Sequence, residues 1–387
     1  MKLSNELERL VAQARKQYPQ LQNQSDEALA QMIMQVLAAQ DAGLPHRPSN
    51  AGPQEMPAEQ CCAYGEQLFN TGQWQEAERY LLAGLEKGEK GGNLRIQCQA
   101  TDLLGAICTY RGNFHEGRVL FQRALGMAER INDLHLMGLI YNDIGESYRR
   151  QGHYPQAIEH YRKQAEISER ARDDEGLAVS AGNLGIAYMQ QGDLDRARES
   201  LELALQLNTK LGRDSGVAKN CSSLGDILCQ QGSYERAQEM LVRSVEIKTR
   251  LGDKLGVSRS YISLGVLHTQ TGNLDAALQV YERALRLKEQ IGDEPGTATT
   301  YANLATVYRL KGDVPRALDN YDKSLKTAQR IGDRHCEATA YGGLGSLYHD
   351  LDDRAQARVH YEKAKGLYEI IGDVPHAQQM ARLLRET

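Results

Sequence analysis

Glycine recurs every forty residues along this chain, at Gly72, Gly112, Gly152, Gly192, Gly232, Gly272 and Gly312, and the series continues with Asp352. A second series, offset by twenty, runs through Gly92, Asn132, Gly212, Gly252, Gly292, Gly332 and Gly372, broken only by Arg172. Even there Asp173 follows, matching Asp133, Asp253, Asp293, Asp333 and Asp373. Two evenly spaced breakers per period leave two similar elements per repeat. Self-similarity at a period of about twenty to fifty residues marks a solenoid, in which each unit buries its apolar face by stacking on its neighbours.

Residues 174–213 show how one repeat makes two helices. Leu177, Ala178, Ala181, Leu184, Gly185 and Tyr188 recur at spacings of three and four, which puts them on one helical face. Gly192-Asp193 ends that helix, glycine supplying the left-handed conformation favoured at a helix C-terminus. A second stripe, Ala197, Leu201, Ala204 and Leu207, follows, and Gly212 stops it. Pro155 and Pro315 open the second helix of their repeats, where a missing amide hydrogen costs nothing.

Stacked repeats expose columns. A small column reads Gly65, Gly105, Gly145, Gly185, Gly225, Gly265, Ala305, Gly345, and its partner reads Ala77, Gly117, Ala157, Ala197, Ala237, Ala277, Ala317, Ala357. Glycine inside a helix costs about 1 kcal/mol relative to alanine, so its recurrence predicts a helix approach too close for a larger side chain. The large column, Leu81, Phe121, Tyr161, Leu201, Leu241, Tyr281, Tyr321, Tyr361, is expected to fill the space between repeats.

A leucine before the small column, a tyrosine three residues after it (Tyr148, Tyr188, Tyr308, Tyr348), a turn glycine and an alanine five residues beyond make a pattern that resembles the tetratricopeptide repeat. It covers residues 58–373 in eight copies. Such repeats usually run about 34 residues, so forty implies hairpins longer by nearly two turns. The length, with Asn183-Leu184-Gly185, Asn303-Leu304-Ala305 and the recurring Ile/Leu-Gly-Asp, resembles the Pins/LGN-type spindle-orientation adaptors and many bacterial repeat proteins. The fold implied is all-α: a right-handed superhelix of stacked helix hairpins with helical ends.

Residues 3–18 and 25–42 read as an N-terminal helix pair spanning 1–42, the second opening with Ser25-Asp26-Glu27. Residues 43–57 hold four prolines and read as a linker. The pair is expected either to cap the first repeat or to form a separate module, with self-association through 25–42. Residues 374–387 resemble a truncated first helix, with Ala377, Met380, Ala381, Leu383 and Leu384 on one side and Arg382 and Arg385 outside. This is the cap that a solenoid's last apolar layer requires.

Net charge is -5, too mild to imply a nucleic-acid or membrane-surface partner. No run of eighteen apolar residues exists and the N-terminus carries acids where a signal peptide is apolar, so a cytoplasmic protein is expected. Seven cysteines, at 61, 62, 98, 108, 221, 229 and 336, fit neither a disulfide framework nor a zinc spacing and read as reduced, small apolar residues. The P-loop, His-Glu-x-x-His and Gly-x-Ser-x-Gly motifs are absent, so neither catalysis nor a metal or cofactor is expected.

What remains is a surface. The resemblance implies that the first helix of each repeat lines a concave groove holding an extended or helical segment of a partner protein. The matching positions include Glu59, Glu66 and Asp102; Asp143, Glu146 and Arg149; Asn183 and Gln190; Lys219, Ser223 and Asp226; Arg259, Ser263 and Gln270; Asn303 and Arg309; and His349. Asn183 and Asn303 share a column with Asp143, Ser223 and Ser263, and a side-chain amide there can bond both the amide and the carbonyl of an extended backbone. The early repeats are acidic and the later ones lean basic (Lys219, Arg259, Arg309), a grading that would orient a partner. Equally, such charges can be simply solvated, and the asparagines can bond a neighbouring helix. The lysine, asparagine and arginine set with which the family clamps a terminal carboxylate is not reproduced. Two functions follow as expectations: a scaffold or adaptor that binds a partner segment, or a regulator that senses a peptide or ligand and moves the N-terminal helices, as the bacterial peptide-responsive Rap-type proteins do.

Overall fold

The computed structural model of the chain describes residues 52–387. The helix pair expected at 1–42, its self-association through 25–42 and the first part of the proline-rich segment therefore lie outside the described residues. Those residues form two compact units divided after Ile167. The first holds α1 (Ala58–Asn70), α2 (Trp74–Lys90), α3 (Leu94–Tyr110), α4 (Phe114–Arg130), α5 (Leu134–Arg150) and most of α6 (Tyr154–Ala171). The second continues with α7 (Asp174–Gln191), α8 (Leu194–Lys210), α9 (Asp214–Gln230), α10 (Tyr234–Arg250), α11 (Lys254–Gln270) and α12 (Leu274–Ile291). It ends with α13 (Glu294–Leu310), α14 (Val314–Ile331), α15 (Arg334–Asp350), α16 (Arg354–Ile371) and α17 (Val374–Glu386). No strand occurs among the described residues. This is a helical solenoid of stacked hairpins.

The glycine series works through the backbone. Gly192 has φ +90°, its N–H bonds the Met189 carbonyl at 3.1 Å, and the N–H of Asp193 bonds the Tyr188 carbonyl at 2.9 Å. These two bonds close the helix end in a Schellman motif. The carboxylate of Asp193 then accepts from the N–H of Arg196 at 3.1 Å and caps the next helix. One Gly-Asp pair thus ends one helix and begins another, which is why the chain needs so few turn residues. Asn132, Arg172 and Asp352 take the same left-handed conformation without being glycine, at φ +51°, +55° and +58°. That costs about 1 kcal/mol or more per residue, and the same pair of backbone bonds closes the helix at each, as where Asn132 N–H bonds the Glu129 carbonyl and Asp133 N–H the Ala128 carbonyl, both at 3.0 Å.

The small column is as crowded as its glycines imply. A Cβ on Gly145 would lie 2.6 Å from the Tyr161 ring, and one on Gly225 would lie 2.5 Å from Leu241. The large column therefore seats on the glycine of its own hairpin, as well as on the next repeat, whereas the columns alone suggested only the space between repeats. Where Ala305 replaces the glycine, the Tyr321 ring presses on Gly343 of the following repeat, at 2.4 Å from an added Cβ.

A second exchange sits at each joint between hairpins. In some joints the second helix is small and the next helix is apolar: Gly88 with Ile96, Ala128 with Leu136, Ala328 with Cys336. In four more a polar side chain, Ser168, Asn208, Lys248 or Lys288, lies against Gly176, Gly216, Gly256 or Gly296, and at the last joint Tyr368 stacks on His376. At the ends, Ala377 and Met380 of α17 are buried on the last hairpin while Arg382 and Arg385 are exposed. Residues 52–57 lie against the first hairpin, where the Lys87 ammonium bonds the carbonyls of Pro53 (2.7 Å), Gln54 (3.0 Å) and Met56.

Candidate functional site

Within each unit the first helices of successive hairpins pack directly on one another, α1 on α3 and α3 on α5, then α9 on α11 and α13 on α15, an approach the second helices do not match. The closer row is the inner one. It carries the polar side chains that the repeat pattern leaves free to vary.

In the first unit this row is acidic. Asp102 on α3 is 8% exposed and its Oδ1 has no hydrogen-bond partner. Burial first, then the charges of Asp143 and Glu66, push its carboxyl well above the usual range. Asp143 on α5 accepts from Asn142 Nδ2 at 2.9 Å, yet burial still pushes it up to about 6. Glu146 and Arg149 are brought together: Arg149 donates to both carboxylate oxygens at 2.8 Å, with Arg150 at 2.8 Å and the Tyr161 hydroxyl at 3.2 Å. Burial opposes ionisation of Glu146, but these bonds outweigh it and hold the carboxyl below its usual value. Those charges form a closed network. Beside them a cavity of about 180 Å³ is lined by Glu59, Glu66 and Asp102 on its polar side and by Leu103, Leu136 and Leu139 on its apolar side.

In the second unit the row is mixed. Lys219 and Arg259 are exposed, and with Lys248, Asp226 and Asp253 they line a cavity of about 610 Å³. Ser222, Ser223 and Ser263 lie between these charges, and Ser263 bonds Asp226. Burial raises the Asp226 carboxyl, a shift that the serine bond opposes. Lys248 donates to Ser260 at 2.9 Å, and burial holds its ammonium below the usual lysine range, with Asp253 and Asp226 opposing. Lys288, at the same place in the next repeat, is 5% exposed and instead pairs with Asp293 at 2.8 Å.

The remaining positions are spread along the row. Asn183 is half-buried and Gln190 exposed on α7; Gln270 accepts from the Cys229 thiol at 3.3 Å. Asn303 is half-buried, and its side-chain amide has no hydrogen-bond partner among the described residues. Arg309 is tied to Asp350, while His349 is exposed at the end of α15. Reasoning from first helices alone missed Lys248, which reaches the cavity from a second helix. The signal was present in the joint column, where a lysine faces a glycine.

Among the described residues no group of three metal-ligating side chains occurs, and no helix is long and apolar enough to cross a membrane. Among the described cysteines none forms a disulfide; six are buried and Cys108 half-buried.

The tetratricopeptide repeat family profile matches residues 96–163, 136–210, 217–290 and 296–370, more than half of the chain. The chain belongs to the tetratricopeptide repeat family. No curated protein matches it at the sequence level. Among solved structures, a signal transduction ATPase with numerous domains and a tetratricopeptide repeat sensor, from Pyrococcus horikoshii, has a TM-score of 0.65 at 15% identity, over 98% of this chain and 55% of that one. The apo quorum sensor NprR from B. thuringiensis gives 0.61 at 13% identity, covering 94% of this chain and 97% of its own. A Rap protein complexed with Competence and Sporulation Factor gives 0.57 at 16% identity, covering 85% and 98%. At these identities the likeness is one of fold.

Proposed function

We propose that this tetratricopeptide repeat protein is a non-catalytic scaffold that binds an extended segment of a partner protein along its inner row of helices. The observation that carries this reading is the run of half-buried polar side chains Asn183, Ser223, Ser263 and Asn303 on successive first helices of the second unit, with the Asn303 amide left unpartnered. A half-buried amide that bonds nothing in the fold offers a donor and an acceptor to a peptide backbone. The forty-residue repeat resembles the spindle-orientation adaptors in length, and that likeness extends to the repeats alone.

Pulldown with full-length protein, compared with Asn183→Ala and Asn303→Ala, tests the reading. Partners that depend on both asparagines are expected; a set of partners indifferent to both contradicts it. A second reading, a peptide-sensing regulator, takes its support from the whole-chain fold likeness to NprR and to the Rap protein with its bound factor. Deleting residues 1–57 would then abolish output and spare ligand binding. Intact output after the deletion removes it.

A further inference from the structure

The acid at residue 102 is exceptional within its own column. The equivalent positions hold Cys62, Asn142, Gly182, Ser222, Ile262, Ala302 and Gly342, so Asp102 alone places a carboxylate there. Its surroundings do nothing to balance it. Oδ1 lacks a hydrogen-bond partner, Glu59 and Glu66 line the same cavity, and no lysine, arginine or histidine does. Among the described residues neither glutamate has an ion-pair partner.

A buried carboxylate without a cation is unfavourable, and a neutral residue of similar size would pack there more cheaply. Asn142 shows that the fold accepts such a residue one repeat later. The opposite wall is apolar. Leu103, Leu136 and Leu139 offer a surface for methylene groups, and about 180 Å³ suits one long side chain while excluding a folded element. An aliphatic stem ending in a cation matches both walls.

We propose that this cavity receives one lysine or arginine side chain from the bound segment of a partner protein, its stem on the three leucines and its charge on Asp102, Glu59 and Glu66. The proposal rests on the reading of the chain as a peptide-binding scaffold. It adds a chemical requirement for the partner: a basic residue at a fixed place in the bound segment. A guanidinium satisfies more of the acceptors than an ammonium, because its fork donates to two oxygens at once.

A library of extended peptides displayed on phage, selected on the full-length protein, tests it. Peptides retained by the unaltered protein are expected to share a lysine or arginine at one fixed position. Asp102→Asn is expected to bind those peptides at least about tenfold more weakly, and to bind equally well the same peptides with glutamine at that position. Glu59→Gln with Glu66→Gln, both at exposed positions, supplies a second variant and is expected to weaken binding in the same direction. Retained peptides with no fixed basic residue, or with equal affinity for all three proteins, overturn the cavity assignment and leave the scaffold reading standing. Retention of no peptide by any of the proteins overturns both.

Discussion

The two units carry cavities on the same kind of helix row and treat charge in opposite ways. In the second, Lys219, Lys248 and Arg259 stand with Asp226 and Asp253, Ser263 bonding Asp226 and Ser260 bonding Lys248. In the first, Glu59, Glu66 and Asp102 stand together without a cation. The backbone frame differs little between them, since the same small column and the same left-handed turn residue recur in both. Electrostatics is therefore set by single residues in variable columns. The second cavity balances its own charge within the fold; the first does not.

The comparison breaks first if the frame is not common. A Cβ on Gly145 would meet Tyr161 at 2.6 Å and one on Gly265 would meet Tyr281 at 2.3 Å, so Gly145→Val and Gly265→Val are each expected to cost about 3 kcal/mol. Urea unfolding of the two variants checks this, and tolerance of either one denies that both units use the same packing device.

Lys288 and Lys248 sharpen the contrast inside the second unit. Lys288→Ala removes the partner of a partly buried aspartate and is expected to cost about 2 kcal/mol, read from the thermal midpoint. Lys248→Met keeps the stem and loses an ammonium that burial already disfavours, so a change of about 0.5 kcal/mol or less is expected. Equal costs would mean that the two lysines do the same job.

The acidic cavity predicts a pH dependence of definite sign. Burial raises the Asp143 carboxyl from 3.8 to about 6, and raises Asp102 as well, so the folded chain holds protons that the unfolded chain has released. Stability from this pair is therefore greatest below the ordinary aspartate value and falls as pH rises toward 6. Asp102→Asn is expected to flatten that fall and to raise the urea midpoint at neutral pH. A steeper fall in the variant contradicts the account. The smallest expected effect on stability belongs to Asn303→Ala, about 0.5 kcal/mol or less, because its amide bonds nothing in the fold.

Much of the frame was legible from sequence because it depends on backbone geometry repeated many times. Gly192, Gly232 and their mates announce where helices end, and Gly185 or Gly225 announces where helices touch. The site was legible only as a set of columns. Glu146 and Arg149 were separable charges on paper, yet their i, i+3 spacing lets them close on one another. Lys248 lay outside the columns considered because it belongs to a second helix. The isolation of Asp102 depends on which side chains from α1 and α5 surround it, and no spacing within α3 reveals that.

Affinity and stability measured together for Asp102→Asn and Gly265→Ala bear most directly on the central claim that the variable inner row, and not the frame, selects the partner. With a peptide carrying the selected basic residue, the account predicts at least about tenfold weaker binding and no loss of urea midpoint for Asp102→Asn. It predicts the reverse for Gly265→Ala: a lower midpoint and unchanged affinity wherever the protein remains folded. Unchanged affinity in Asp102→Asn, or a loss only in step with lost stability, would contradict it.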